Sequence, residues 1–229
     1  MRILTADFVA GAASARGVAI VIDVFRACSL VAHVLAAGAA RVVPVADVDE
    51  AMRLKAAHPD WLLVGERHAR PLPGFDCGNS PAEVLRNPLA GRTLVHTTHA
   101  GTQGLCAAAG SADVVVAGAF VNAAATVAYV RRLAPAEVTV VAMGHEARER
   151  CIEDDLCREL LVARLRGEAF DTTAIRTRLR AAPAAAKFFD PAAHWAPEQD
   201  FALCAAVDTL PVVARLVRRP GAPAALEPA

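Results

Sequence analysis

The feature that most constrains the fold is an alternation. Short runs that are apolar at nearly every position, "GVAIVIDVF" (17–25), "RVVPV" (41–45), "WLLVG" (61–65), "TLVHT" (93–97), "DVVVAG" (113–118) and "VTVVAMG" (138–144), are separated by segments of helical period. Strands apolar on both sides need cover on both sides, so these runs predict β-α units wound around a largely parallel sheet. The intervening helices are "SLVAHVLAAG", "DVDEAMRLKAAHP" and "NAAATVAYVRRLAP". The second opens with Asp47 and Glu50 at capping-box spacing and stops before Pro59. Beyond about residue 145 the rhythm changes: helices are expected over 153–167 and near 171–182, then a late strand in "PVVARLV". The tail 218–229, "RRPGAPAALEPA", reads as frayed. No internal repeat stands out, and the chain reads as one domain over 1–229, with a subdivision near 145 left open.

Composition narrows the function. With 24 Lys+Arg against 24 Asp+Glu, no global field draws the chain to nucleic acid or anionic lipid, so a charged ligand must be held locally. No uncharged apolar run approaches a membrane span, and Asp7 interrupts what a secretory signal would keep apolar. A cytoplasmic protein with no membrane and no nucleic-acid partner is the expectation. The six cysteines form no C-x-x-C pair and mostly sit among Ala, Leu and Val, as buried reduced thiols do. Two apolar stretches, "AAATVAYV" and the C-terminal segment, fit a homo-oligomer interface as well as a core.

In a doubly wound sheet ligands bind outside the strands' carboxyl ends. The loops there carry Asp23 and Arg26, then Glu66 and Arg67, then Thr97, Thr98, Gly101 and Thr102, then Asn122, and finally His145, Glu146, Glu153 and Asp154. Asp23 ends a buried strand, where desolvation disfavours its charge unless a cation or strong donors offset it. Arg26 as a structural ion-pair partner is one solution. The other is Mg²⁺, which takes one or two carboxylates plus waters and substrate oxygens, with Asp23, Glu66 and Asp154 as candidates. The run "ERCIEDD" also fits a plain acidic first turn. In "NSPAE", Ser80, Pro81 and Glu83 make a capping box whose helix N-terminus offers N–H groups to an anion. There is no C-x₅-R, no D-x-D after the first strand, no P-loop, no G-x-G-x-x-G and no G-x-S-x-G. "ERHA" departs from the R-H-G of phosphohistidine enzymes at Ala69.

Taken in order, "VIDVFRACS", "VGERHARPLPGFDCGNSPAEV", "HTTHAGTQGL", "AGAFVNAAA", "CIEDDLC" and "DFALCAAVDTLPVV" resemble the 2-phosphosulfolactate phosphatase (ComB-like) family over roughly residues 15–217. The resemblance implies a three-layer α/β/α enzyme, Mg²⁺-dependent, that hydrolyses 2-phosphosulfolactate to sulfolactate and phosphate in coenzyme M biosynthesis. It points to Asp23, Arg26, Glu66, Glu153 and Asp154 as catalytic, and to Arg67, Asn79, Ser80, Thr97, Thr98, Gly101 and Thr102 as substrate-binding. Asp23, Glu66 and Asp154 would hold Mg²⁺, and Arg26 with the Thr98–Thr102 turn would meet phosphoryl or sulfonate oxygens. The nucleophile would be a metal-activated water, with Glu153 moving the proton and an aspartyl phosphate on Asp23 as the alternative. Three departures stand out: Ala100 where many members have Asn, with His99 beside it as a replacement donor or a surface residue; a heavily charged "MGHEARERCIEDD" in place of a Gly-rich loop; and Cys77 at an apolar position. They bear on the substrate more than on the fold. The same fold acting on another small anionic phosphoester, or a non-catalytic metabolite binder, are the alternatives.

Overall fold

In the computed structural model, which describes residues 1–229, the alternation becomes ten strands in one mixed sheet. The parallel strands are β1 (Arg2–Asp7), β2 (Val18–Ile22), β3 (Arg41–Pro44), β4 (Leu62–Arg67), β6 (Thr93–Thr97), β7 (Val114–Gly118) and β8 (Glu137–Ala142). Antiparallel additions are β5 (Arg70–Pro71), β9 (Ala214–Arg219) and β10 (Ala222–Pro228). Helices α1 (Phe8–Ala13), α2 (Ala27–Ala36), α3 (Val48–Ala57), α4 (Pro81–Val84), α5 (Gly101–Ala109), α6 (Ala123–Leu133), α7 (Ile152–Arg166), α8 (Ile175–Arg180) and α9 (Glu198–Ala205) cover it.

The layers follow from strand periodicity. Every residue of β2 is buried; Ala19 and Val21 join a 32-residue apolar cluster with α2 and α5, while Val18, Ile20 and Ile22 join a 26-residue cluster with α6 and α7. A third cluster of 7 residues gathers Val43, Leu63 and Val95 under α3. The fold is therefore three-layer α/β/α, as the sequence led one to expect. The stretch "AAATVAYV" is taken up by this core, since Ala123, Val127 and Val130 pack in the second cluster.

The sheet order, β1-β8-β2-β7-β9-β10-β3-β6-β4-β5, departs from a doubly wound pattern. Two parallel blocks are joined through the antiparallel β9–β10 hairpin, whose two-residue turn is Pro220–Gly221 with Gly221 at φ +74°. The tail expected to fray is instead a strand near the middle of the sheet, with Leu226 opposite both Leu216 and Val42. Its Ala, Pro and Gly content hid it, because tertiary pairing outweighs weak β-propensity. Passing through the hairpin reverses the formal direction of the second block relative to the first. Even so, the carboxyl ends of β2 and β4 meet at one pocket, which Asp23 and Glu66 both border.

β1 was also invisible as a strand. "RILTAD" lacks a continuous apolar run because it is the sheet edge, pairing only with β8 from Arg2↔Glu137 to Asp7↔Ala142. The opposite edge is blunted by the connector after β4. Asp76 Oδ2 accepts from Leu63 N at 2.7 Å and from Lys55 Nζ at 2.8 Å, and Cys77 O accepts from Gly65 N, so the returning chain covers the edge of β4.

Candidate active site

The pocket begins where β2 runs out. Asp23 is the first residue past the strand, and its Oδ1 accepts from Ala27 N at 3.2 Å as α2 begins. Across from it lies the N-terminus of α5, where a Cβ on Gly101 would stand 2.8 Å from Asp23 Oδ2 and 2.6 Å from Ala27 Cβ. Gly101 is thus required for close approach, and its N–H also faces Asp23. Burial, reinforced by Glu66, pushes the Asp23 carboxyl up to about 6.

Glu66 comes from β4, in the other block. Its two oxygens accept from His99 N and Ala69 N, each at 2.7 Å. Ala69 N reaches it because His68 (φ +52°) and Ala69 (φ +61°) are both left-handed, as the two-residue hairpin between β4 and β5 demands. Asp154, in the first turn of α7, ties the ends of β2 and β8 together: Oδ1 accepts from Val24 N and Oδ2 from Gly144 N, both at 2.8 Å. Burial, with Asp23 and Glu153 beside it, raises it well above the usual carboxylate range. Glu153 is buried as well; its Oε2 has no hydrogen-bond partner, and burial raises this acid too. The run "EDD" therefore divides. Asp155 behaves as a surface acid with Arg150 and Arg158, whereas Glu153 and Asp154 turn inward.

Asp23, Glu66, Glu153 and Asp154 border one pocket together with Asn79 and Lys187. Lys187, on the 3₁₀ turn Pro183–Phe189, has its ammonium pushed down by burial and Arg26, while Glu153 and Asp23 oppose the shift. Four buried carboxyl groups thus border the pocket with a single lysine, one of them with a bare buried oxygen; they offer only oxygen, the donor type a hard divalent cation such as Mg²⁺ takes, although their ligand atoms are not drawn together as closely as those of His68, His99 and Glu146.

Other expected site residues are engaged elsewhere. Arg26 does not pair with Asp23; its Nη1 donates to Asp200 Oδ2 at 2.8 Å and to Trp195 O at 2.7 Å, with both side chains essentially fully buried. It touches the pocket, but its charge is already matched. Ser80 caps α4, accepting from Glu83 N at 3.1 Å, and donates to Asp200 Oδ1 at 2.8 Å. Asp200 Oδ1 also takes Ala82 N, so the α4 terminus expected to face an anion is occupied by this acid. Glu83 reaches Gly78 N instead of closing the capping box on Ser80.

Arg67 donates to Ala46 O, Glu66 O and Thr97 Oγ1, bracing β4 against β6. Thr98 and Thr102 bond reciprocally, each side-chain oxygen accepting from the other's N–H, and so set the start of α5. Neither they nor Arg67, Thr97, Gly101 and Ser80 border the pocket. Asn79 does, held by His96 Nε2 at 3.0 Å. Asn122 folds back on Ala119 N and Ala117 O and is part of a turn.

The family model described as 2-phosphosulpholactate phosphatase matches residues 3–219. The chain belongs to that family. Proteins called probable 2-phosphosulfolactate phosphatase are similar to it: one from Deinococcus radiodurans is 40% identical over 131 residues, covering 57% of this chain and 55% of that protein. One from Thermotoga petrophila is 36% identical over 148 residues, 65% and 62% of the two chains. A third, from Symbiobacterium thermophilum, is 38% identical over 153 residues, 66% and 64%. The chain thus matches these relatives over somewhat more than half of their length.

Within the family frame, the thiols carry no nucleophile. All six are free, and burial pushes Cys77 and Cys106 up to about 11 and raises the other four as well, disfavouring the thiolate. The sequence reading missed Lys187 and Asp200. Lys187 is one of only two lysines, set in the apolar run "PAAAKFF", and that isolation is the one local signal it carries. Asp200 gave none, because its partner Arg26 is 174 positions away.

Proposed function

We propose that this protein is a Mg²⁺-dependent phosphatase of small, multiply anionic organic phosphoesters, with 2-phosphosulfolactate as substrate and sulfolactate and phosphate as products. The observation that carries the reading is the convergence of Asp23, Glu66, Glu153 and Asp154, drawn from both blocks of the sheet, on one pocket of a chain belonging to this family.

Asp23, Glu66 and Asp154 would hold the cation. The backbone N–H groups that fix Glu66 and Asp154 leave each oxygen a further lone pair and pin the carboxylates in place. When bound, Mg²⁺ would neutralise these acids, polarise the phosphoryl group and acidify water. Lys187 supplies positive charge to the phosphoryl or sulfonate oxygens, and Asn79 a polar contact. Glu153, raised by burial, takes up and returns the proton during hydrolysis. Phe25, packed edge-on against Phe188, adds an apolar wall to the site.

The test is phosphate release from 2-phosphosulfolactate and a panel of small phosphoesters, with Mg²⁺ and with EDTA. Release from 2-phosphosulfolactate that EDTA abolishes and Mg²⁺ restores is expected. Release only from other esters would overturn the substrate, and release unaffected by EDTA would overturn the metal. The loop from Gly144 to Arg150, charged where a Gly-rich loop was expected, favours including other dianionic esters in the panel.

A further inference from the structure

The rim of the pocket carries three side chains that the proposed reaction does not use. His68 sits at the tip of the β4–β5 hairpin, His99 follows β6, and Glu146 lies in the loop between β8 and α7. Three segments distant in sequence thus bring two imidazoles and a carboxylate together. His68 Nδ1 lies 2.5 Å from Glu146 Oε1, and His99 Nδ1 lies 3.8 Å from the same oxygen. One ligand atom from each residue falls within 4.8 Å of the others. The imidazole rings meet edge-on, their centroids 4.7 Å apart at 72°.

One atom in this group is unexplained by packing. His99 Nδ1 is buried and has no hydrogen-bond partner, an arrangement that leaves a strong polar group unsatisfied. This nitrogen lies beside the carboxylate oxygen and the second imidazole. Around a tetrahedral cation with bonds of about 2.0–2.1 Å, ligand atoms stand roughly 3.3 Å apart. The 2.5 and 3.8 Å separations bracket that spacing, and the His68 side chain, 70% exposed, has room to turn away from its short contact.

The chemistry differs from that of the inner cluster. Asp23, Glu66, Glu153 and Asp154 offer only oxygen and suit a hard cation; two imidazoles and one carboxylate suit a borderline one. We propose that His68, His99 and Glu146 form a second cation site, for a first-row divalent ion of the Zn²⁺ type, with its remaining coordination position facing the pocket. The site adjoins the inner cluster through His99, whose backbone N–H holds Glu66 Oε1. It does not depend on the proposed reaction.

The experiment measures Zn²⁺ uptake by the full chain after chelator treatment, with Mg²⁺ in large excess to hold the inner carboxylates. The wild type should bind one equivalent more than the His68→Asn/His99→Ala variant, and His68→Asn alone should weaken that equivalent at least tenfold. Asn tolerates the left-handed backbone at position 68, so His68→Asn keeps the fold, which circular dichroism checks. Asp23→Asn should retain the rim equivalent. Co²⁺ in place of Zn²⁺ should give visible d–d bands with no thiolate charge-transfer band, separating the site from the neighbouring Cys151. Equal uptake by the wild type and the double variant, loss of the rim equivalent in Asp23→Asn, or a thiolate band would each overturn the proposal.

Discussion

Two buried groups of charge lie side by side in this molecule and are built on opposite terms. In one, the Arg26 guanidinium meets the Asp200 carboxylate, and Ser80, Ala82 and Trp195 fill their remaining hydrogen-bond positions. In the other, Asp23, Glu66, Glu153 and Asp154 crowd a pocket with Lys187 as its one unmatched strong cation, and burial pushes three of these acids upward. A balanced buried pair welds the β2–α2 turn to α9 and α4. An unbalanced cluster costs stability, and such a cost persists where a ligand offsets it.

That contrast can be broken from either side. Asp23→Asn keeps an acceptor for Ala27 N and removes a poorly solvated charge. On the proposed role it should lower kcat/KM by about 10³-fold or more, the several kcal/mol that a carboxylate anchoring a metal would supply. The thermal midpoint in EDTA should not fall; a large drop would show Asp23 to be structural. Asp200→Asn should do the reverse, leaving Arg26 buried and unpaired at a cost of about 3–5 kcal/mol in urea unfolding. A variant of unchanged stability but raised KM would show that Arg26 acts on the substrate and not chiefly as Asp200's structural partner.

Lys187→Met tests the bridge between the two groups. Removing the cation while keeping the stem should raise KM roughly tenfold for a doubly anionic ester, about 1.4 kcal/mol, with unfolding unchanged. One further prediction lies away from the chemistry. Burial, aided by Arg67, holds His96 down to about 3, from 6.5. Between those values the unfolded chain binds the proton and the folded chain does not, so stability is full above pH 6.5 and declines as pH falls toward 3. His96→Gln, with an amide that can still reach Asn79, should flatten the slope of unfolding free energy between pH 6.5 and 4 by up to about 1.4 kcal/mol per pH unit. An unchanged slope would mean that His96 titrates normally.

The connector from Gly65 to Glu83 shows how far sequence reading reached. Its Glu66 was legible as a strand-end acid and Ser80 as a cap, because both follow from local rules about strand ends and helix starts. That Asp76 and Cys77 would run back along β4, and that Ser80 would hand its hydroxyl to Asp200, depended on segments far away. The same divide applies to "EDD": its helix was local knowledge, whereas which acids turn inward depended on β2 and β8.

The sequence by itself determined the three layers, most strand and helix positions, the acids at the strand ends and the family, since these rest on periodicity, local caps and ordered motifs. Only the tertiary structure decided that the C-terminal tail is a strand within the sheet, that Arg26 belongs to Asp200, and that Lys187, His68, His99 and Glu146 gather around the same pocket. The physical reason is that burial and charge pairing are properties of neighbours in space. A side chain's partner is fixed by sheet order and twist, and those are settled only when the whole chain packs.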